Sequence, residues 1–452
     1  MEITFLGATG TVTGSKYLIT SGAKKILVDC GLFQGFKQLR LRNWEPFPVD
    51  PGEIEAVVLT HAHLDHSGYI PLLAREGFTG KVYCSRGTRD LCAILLPDSG
   101  HLQEEDAEYA NRHKFSKHTP ALPLYTREDA EHSLNLLSPV DFDQETDLGE
   151  GLHFRLLPAG HILGAALVSM TGVGASILFS GDLGRPKDLV IGAPTVVHNV
   201  DYLVVESTYG NRLHDPGDPK AALAAIINRT VDRGGIVLIP SFAVGRAQTV
   251  LYLIHLLKEA RAIPDVPVYL NSPMAVEATG IYHDHIDEHR LTPEQCQQMC
   301  TVAHLVRSVE ESRRLNELRE PAILISASGM ATGGRVLHHL KAFAPDPRNT
   351  ILFVGFQAGG TRGEAMVNGA KSIKIHGDYV PVRAEVVAME NLSAHADYTE
   401  IMAWLEGFSA PPKETFITHG EPAAADALRH RIEEKLGWRC RVPDYREQAV
   451  LK

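Results

Sequence analysis

The run Ala56-Val57-Val58-Leu59-Thr60-His61-Ala62-His63-Leu64-Asp65-His66 sets four potential metal ligands directly behind a buried apolar strand. In an extended or turning backbone, residues two apart point the same way, so His61 and His63 can converge on one ion. Asp65 and His66 then fall at the start of the following helix and aim at a neighbouring point. An open catalytic zinc takes three protein ligands and a water, so four ligands in six positions imply two adjacent ions. A single histidine at a strand end is ordinarily a satisfied polar group, but His-x-His-x-Asp-His is too dense for that reading.

Further ligands are expected at other strand ends. LLPAGHILGA places His161 at one, and ILFSGDLG places Asp182 at another, where a carboxylate can bridge two ions and an imidazole cannot. Short β-branched runs recur throughout the first two hundred residues: Ile3–Leu6, Lys16–Ile19, Lys25–Val28, Lys81–Cys84, Phe154–Leu157, Ala166–Met170, Ala175–Phe179 and Tyr202–Val205. Helices are expected after His66, over Leu102–Lys114, and from Arg127, where Thr126 and Asp129 form a capping box. From about residue 207 longer helices alternate with strands at Ile236–Ile239, Val268–Leu270, Ala322–Ile325 and Ile351–Val354, the mark of a parallel α/β unit. Strands return at Arg383–Ala388 and Thr415–Ile417, and a helix opens at Pro422 and stops at Gly437.

Taken in chain order, Asp29 in ILVDCG, HAHLDH, His161 and Asp182 resemble the motifs of the metallo-β-lactamase superfamily. The resemblance implies an αββα sandwich with its site at one end of two sheets. It implies one zinc ion held by His61, His63, His161 and Asp182, and a second held by Asp65, His66, Asp182 and a later histidine. Asp29 would orient ligands or the metal-bound hydroxide. Three more strings, VVESTYG with Glu206, SAHAD with His395 and THGE with His419, look like motifs A, B and C of the β-CASP nucleases. In that family a histidine at motif C marks the RNA-processing branch. The resemblance therefore implies a ribonuclease cutting single-stranded RNA, as endonuclease, 5′ exonuclease or both, with a metal-bound hydroxide as nucleophile, His395 as general acid and Glu206 as its partner.

A domain-sized interval separates Asp182 from His419. The organisation expected is a metallo-β-lactamase domain in two parts, 1–206 and 367–452, with a parallel α/β β-CASP domain inserted at 207–366. PSFAVGR, SASGMATGGR and GFQAGGTRG in the insert also look like family segments, and their Gly-rich backbones can offer N–H groups to phosphates. Arg246, Ser328, Gly329, Arg335, Arg362 and Ser393 are the substrate-side candidates. GATGTVTGSK tempts a phosphate-loop reading, but its glycine spacing is wrong and it ends Gly-Ser-Lys, so no nucleotide cofactor is expected.

Composition bounds the partners. The 452 residues carry 44 Lys+Arg against 55 Asp+Glu, a formal charge of −11, which excludes a uniformly basic nucleic-acid surface. Asp29, Asp65, Asp182 and Glu206 are four of those acids, and ions bound among them reverse the local sign. No apolar run approaches the ~18 residues of a membrane span, and the amino terminus lacks a signal-peptide pattern, so a cytoplasmic protein with no membrane partner is expected. Six scattered cysteines suggest reduced thiols. A homodimer is left open. The competing expectations are a dinuclear zinc hydrolase of a small ester or thioester, and a binding protein with a dead site.

Overall fold

The computed structural model describes residues 1–114 and 116–452. The chain divides into two compact units, Met1–Leu213 with His395–Lys452, and His214–Ala394.

The first unit holds two seven-stranded sheets. One runs Gln448–Val450, Glu2–Phe5, Tyr17–Ser21, Lys24–Val28, Ala56–Val58, Lys81–Cys84 and Leu137–Pro139 in spatial order. The other runs Cys440–Arg441, Glu414–Thr418, Tyr202–Glu206, Ala175–Phe179, Ala166–Gly172, Leu152–Pro158 and Glu145–Gly149. Ile3, Phe5, Ile19, Val28 and Val58 from the first sheet share one core cluster with Phe154, Val168, Ile177, Val204 and Phe416 from the second. Burying each such side chain is worth about 1.5–3 kcal/mol, so this interior face drives the sandwich. Leu27, Val57 and Leu59 alternate with that set and are also fully buried, because the outer face of the sheet is covered too. Helix Pro422–Leu436 packs on strand Glu414–Thr418 through a face that includes Leu428 and Ile432, and ends at Gly437 with φ of 67°. The architecture is αββα.

Local signals read from sequence set several of these elements. The Thr126–Asp129 capping box is formed in both directions and opens helix Arg127–Ser133. The charged stretch Leu102–Lys114 belongs to a longer helix, Arg86–His113, capped by Ser85.

The second unit contains a six-stranded sheet in the order His304–Leu305, Val268–Asn271, Ile323–Ser326, Val237–Pro240, Thr350–Phe353, Glu385–Ala388. Every neighbouring pair in it is parallel, and helices such as Arg246–Glu259 and Val336–Phe343 connect the strands. A hairpin, Ser372–Ile375 with Asp378–Pro381, contributes Ile373, Ile375 and Val380 to the same core.

The compact units divide at Leu213 and Ala394, where the sequence reading sets the junctions at 206 and 366. Strand Glu385–Ala388, expected in the returning part of the first domain, pairs with Thr350–Phe353 of the inserted sheet. The compact unit therefore runs to Ala394 rather than stopping at 366. This short strand, Glu-Val-Val-Ala, carries no signal in its own sequence that selects one sheet over the other. Among the described residues no helix is long and apolar enough to cross a membrane, and all six cysteines are free.

Candidate metal centre

Most of the polar residues singled out in the first unit lie at the carboxyl ends of strands, with His63, Asp65 and His66 at or in the short helix Leu64–Ser67. Asp29 follows strand Lys24–Val28, His61 follows Ala56–Val58 and His161 follows Leu152–Pro158. Asp182 follows Ala175–Phe179, Glu206 ends Tyr202–Glu206 and His419 follows Glu414–Thr418. The strands carrying Asp29 and His61 run parallel, as do those carrying Asp182, Glu206 and His419, so their carboxyl ends share one edge of each sheet. Asp29 and His419 turn off their strands with φ of 58° and 49°.

Two donor sets result. In the first, His63 Nδ1 lies 3.1 Å from His61 Nε2 and 3.2 Å from His161 Nε2. Asp182 Oδ2 lies 3.4 Å from both His61 Nε2 and His161 Nε2. A tetrahedron with metal–ligand bonds near 2.05 Å has edges of about 3.3 Å, so these separations fit a single small divalent ion. In the second, His66 Nε2 lies 3.1 Å from His419 Nε2 and 3.2 Å from Asp182 Oδ1, while Asp65 Oδ2 lies 3.5 Å from His419 Nε2. Asp182 thus turns one oxygen to each set. His161 Nδ1 and Asp182 Oδ1 are buried without a protein hydrogen bond.

Electrostatics point the same way. Burial pulls His61 down to about 3 and His63 to about 4, and holds His161 well below its ordinary value, so all three are neutral imidazoles with a lone pair to offer. Burial also acts to lower His66, but the carboxylates of Asp182 and Asp29 outweigh it and raise this ring well above its usual range. Burial likewise opposes the charge on Asp182, and His419, His66 and His395 around it overcome that and keep it ionised. A buried carboxylate ringed by imidazoles calls for positive charge at its centre, which a proton on His66 or a metal cation can provide.

The donor side chains are themselves held. Asp29 Oδ2 accepts from His66 Nδ1 at 2.8 Å, and Asp29 Oδ1 accepts from the Thr60 amide at 2.7 Å. The Thr60 hydroxyl donates to Asp29 at 2.9 Å and lies 3.1 Å from His61 Nδ1. Thr208 Oγ1 sits 3.1 Å from His419 Nδ1. Carboxylate or hydroxyl partners of this kind fix ring orientation and tautomer at metal sites. Thr60 and Thr208 were not expected from sequence; each lies next to a chemistry-bearing motif, and a hydroxyl there reads as ordinary strand-end polarity.

His395 stands beside the donor sets. Its Nδ1 is 3.1 Å from both carboxylate oxygens of Glu206 and 3.9 Å from Asp182 Oδ2, and its ring is 4.6 Å from that of His161. Glu206 is buried and also accepts from the Leu183 amide at 2.6 Å. Burial works against protonation of His395, but the charges of Glu206 and Asp182 prevail and lift it to about 9.

Lys16, of the rejected phosphate-loop string, is spent internally. Its ammonium donates to the Gly31 carbonyl and lies 4.6 Å above both the Phe33 and Tyr69 rings.

The family models match in three blocks: the metallo-beta-lactamase superfamily at residues 9–225, the Beta-Casp domain at 247–366, and the Zn-dependent metallo-hydrolase RNA specificity domain at 379–443. Ribonuclease TTHA0252 of Thermus thermophilus is 36% identical over 436 residues, covering 95% of each chain. This chain is a β-CASP member of the metallo-β-lactamase superfamily. Transcription termination factor FttA of Methanosarcina mazei is 32% identical over 459 residues, covering 96% of this β-CASP chain and 69% of that protein. A protein of unknown function from Enterococcus faecalis V583 shares the fold, with a TM-score of 0.54 at 14% identity over 100% and 99% of the two chains. The Beta-Casp model ends at residue 366, and the third model begins before strand Glu385–Ala388, although that strand pairs in the inserted sheet.

The six substrate-side candidates all lie in the second unit of the β-CASP chain, where the structure engages them locally. Buried Arg246 donates to the Leu392 carbonyl. Arg335 Nη1 donates to Asn271 Oδ1 at 2.9 Å and its Nη2 to the Arg307 carbonyl at 2.7 Å. Arg362 donates to the Lys374 carbonyl at 2.7 Å and to that of Thr332 at 3.0 Å. Ser328 Oγ lies 2.9 Å from Thr332 Oγ1, and the Ser393 amide donates to the Glu390 carbonyl at 2.9 Å. A Cβ on Gly329 would come 2.8 Å from the Phe242 amide, so close packing accounts for that glycine.

Proposed function

We propose that this chain is a zinc-dependent ribonuclease that hydrolyses phosphodiester bonds of single-stranded RNA, with two ions in the two donor sets and His395 as general acid. His61, His63, His161 and Asp182 would hold one ion, and Asp65, His66, Asp182 and His419 the other. The nitrogen-rich donors suit zinc. When bound, the ions supply an activated water at neutral pH and neutralise charge on the phosphoryl oxygens.

The observation that carries the reading is the Glu206–His395 pair, in which His395 belongs to no donor cluster while Glu206 lies within 4.8 Å of donor atoms of Asp182 and His419. Phosphodiester cleavage expels an alkoxide, which is a poor leaving group unless it is protonated. Glu206 accepts from Nδ1 and so leaves Nε2 as the atom that delivers the proton. The Leu183 amide holds Glu206 Oε1 in turn, which fixes the dyad's orientation. Asp29 positions His66, and Thr208 positions His419. The relatives above bear the names of a ribonuclease and a termination factor, not of an ester or thioester hydrolase, which supports RNA over the small-substrate alternative.

The test is His395→Ala. Zinc content by mass spectrometry stays at the wild-type stoichiometry while cleavage of labelled single-stranded RNA is largely lost. Unchanged turnover would remove His395 from the acid role, and less than one equivalent of zinc in the wild-type protein would remove the dinuclear centre.

A further inference from the structure

The segment after Asp29 builds a surface that the chemistry above does not use. Gly31 lies so close to the metal-ligand turn that a Cβ on it would meet the Asp65 carbonyl oxygen at 1.6 Å. The amides of Cys30 and Leu32 donate to the carbonyls of His66 and Leu64 at 2.7 and 2.8 Å. Ten residues on from Phe33, the buried Asn43 closes the loop: its Oδ1 accepts from the Phe33 amide at 2.9 Å and its Nδ2 donates to the Phe33 carbonyl at 2.8 Å. Arg42 is seated over the Tyr445 ring at 4.4 Å. The loop's two ends are therefore fixed to each other, and its base is laced to the turn that carries Asp65 and His66.

What this rigid loop presents is unusual for a solvent-facing element. It contains a short helix, Lys37–Arg42, that buries none of its residues. Phe36, Leu41 and Trp44 are 51%, 52% and 57% exposed. Lys37 and Arg40 stand exposed among them, the helix contains no acid, and nearby Glu45 faces Arg446 at 3.8 Å. Exposed aromatics beside cations, on a chain whose formal charge is −11, make a local reversal of both polarity and sign.

We infer that this clamped loop docks single-stranded RNA, with bases stacking on Phe36 and Trp44 and phosphates meeting Lys37 and Arg40. The inference rests on the ribonuclease reading and adds where the strand is held. Charge complementarity selects the occupant: a polyanion with aromatic faces satisfies both features. A second copy seated across a two-fold axis would set the same cations against themselves. Tethering the loop to the Asp65–His66 turn keeps the held strand in a fixed relation to the metal ligands.

The experiment measures cleavage of a twenty-nucleotide unstructured RNA by the zinc-loaded enzyme. It compares wild type with Phe36→Ala/Trp44→Ala and with Lys37→Glu/Arg40→Glu, all checked for zinc content and melting temperature. Each double variant is expected to raise KM by about tenfold or more with kcat largely kept. The charge-reversal variant should also flatten the plot of log KM against log salt by at least about 1.4, at ~0.7 per lost phosphate contact on a single strand; a merely structural role moves neither slope nor KM alone. KM within twofold of wild type in both variants overturns the docking surface while leaving the ribonuclease reading intact. A wild-type enzyme that cuts no RNA overturns both. Loss of a dimer in sedimentation velocity, with KM unchanged, assigns the patch to self-association and overturns the proposal.

Discussion

Two carboxylate–histidine pairs face Asp182, one toward each of its carboxylate oxygens, and they differ in where the histidine's second nitrogen goes. In the Asp29–His66 pair, Nε2 faces His419 and Asp182 inside a donor set, and the side chain is 2% exposed. In the Glu206–His395 pair, the ring stands outside both sets and is 16% exposed. Chemically similar dyads therefore divide into one whose ring is enclosed among donor atoms and one whose ring is partly open to solvent. The lesson is that an acid beside a histidine defines an orientation, and the ring's other face defines the role.

That division can be broken by substitution. Asp182→Asn has the largest expected effect, because it weakens both donor sets at once; bound zinc and RNA cleavage should fall together to background, read by metal analysis and turnover. His395→Ala should separate them, cutting turnover by about 10²–10⁴-fold with zinc retained. The two carboxylates then part company. Asp29→Asn should weaken zinc affinity by about 10–100-fold, with activity restored by added zinc. Glu206→Gln should lower turnover in a way that zinc does not restore. It should also move the alkaline limb of the kcat profile to lower pH, because a negative neighbour that favours the protonated imidazole is gone. If zinc rescues Glu206→Gln, the two pairs are not functionally distinct. The smallest effect is expected of Thr208→Val, a few-fold loss of zinc affinity through His419, measured by chelator competition.

The donor sets were partly legible in sequence because His61, His161, Asp182 and His419 each follow a strand, while His63, Asp65 and His66 sit at or in the short helix Leu64–Ser67 directly behind one of them. Grouping His419 with His66 across the inserted domain came from the resemblance to the family, and the two rings lie 3.1 Å apart between their Nε2 atoms. The arginines of the insert were less legible. Gly-rich loops with an arginine read as phosphate cradles, but Arg335 and Arg362 donate to the carbonyls of Arg307 and Lys374 in other segments, and sequence spacing does not distinguish a cation facing solvent from one that ties two segments together. At the return to the first unit, pairing and family match divide the chain differently: strand Glu385–Ala388 joins the inserted sheet, whereas the Beta-Casp match ends at 366. Thr60 and Thr208 were passed over because a hydroxyl gains meaning only from the ring it touches.

The central claim is that His395 supplies the leaving group's proton, and the most direct measurement replaces the leaving oxygen of one phosphodiester with sulfur. A thiolate departs without protonation, so His395→Ala should cleave the sulfur-bridged RNA within about tenfold of wild type while remaining slowed by about 10²–10⁴-fold on the oxygen substrate. Equal slowing on both substrates would contradict the assignment.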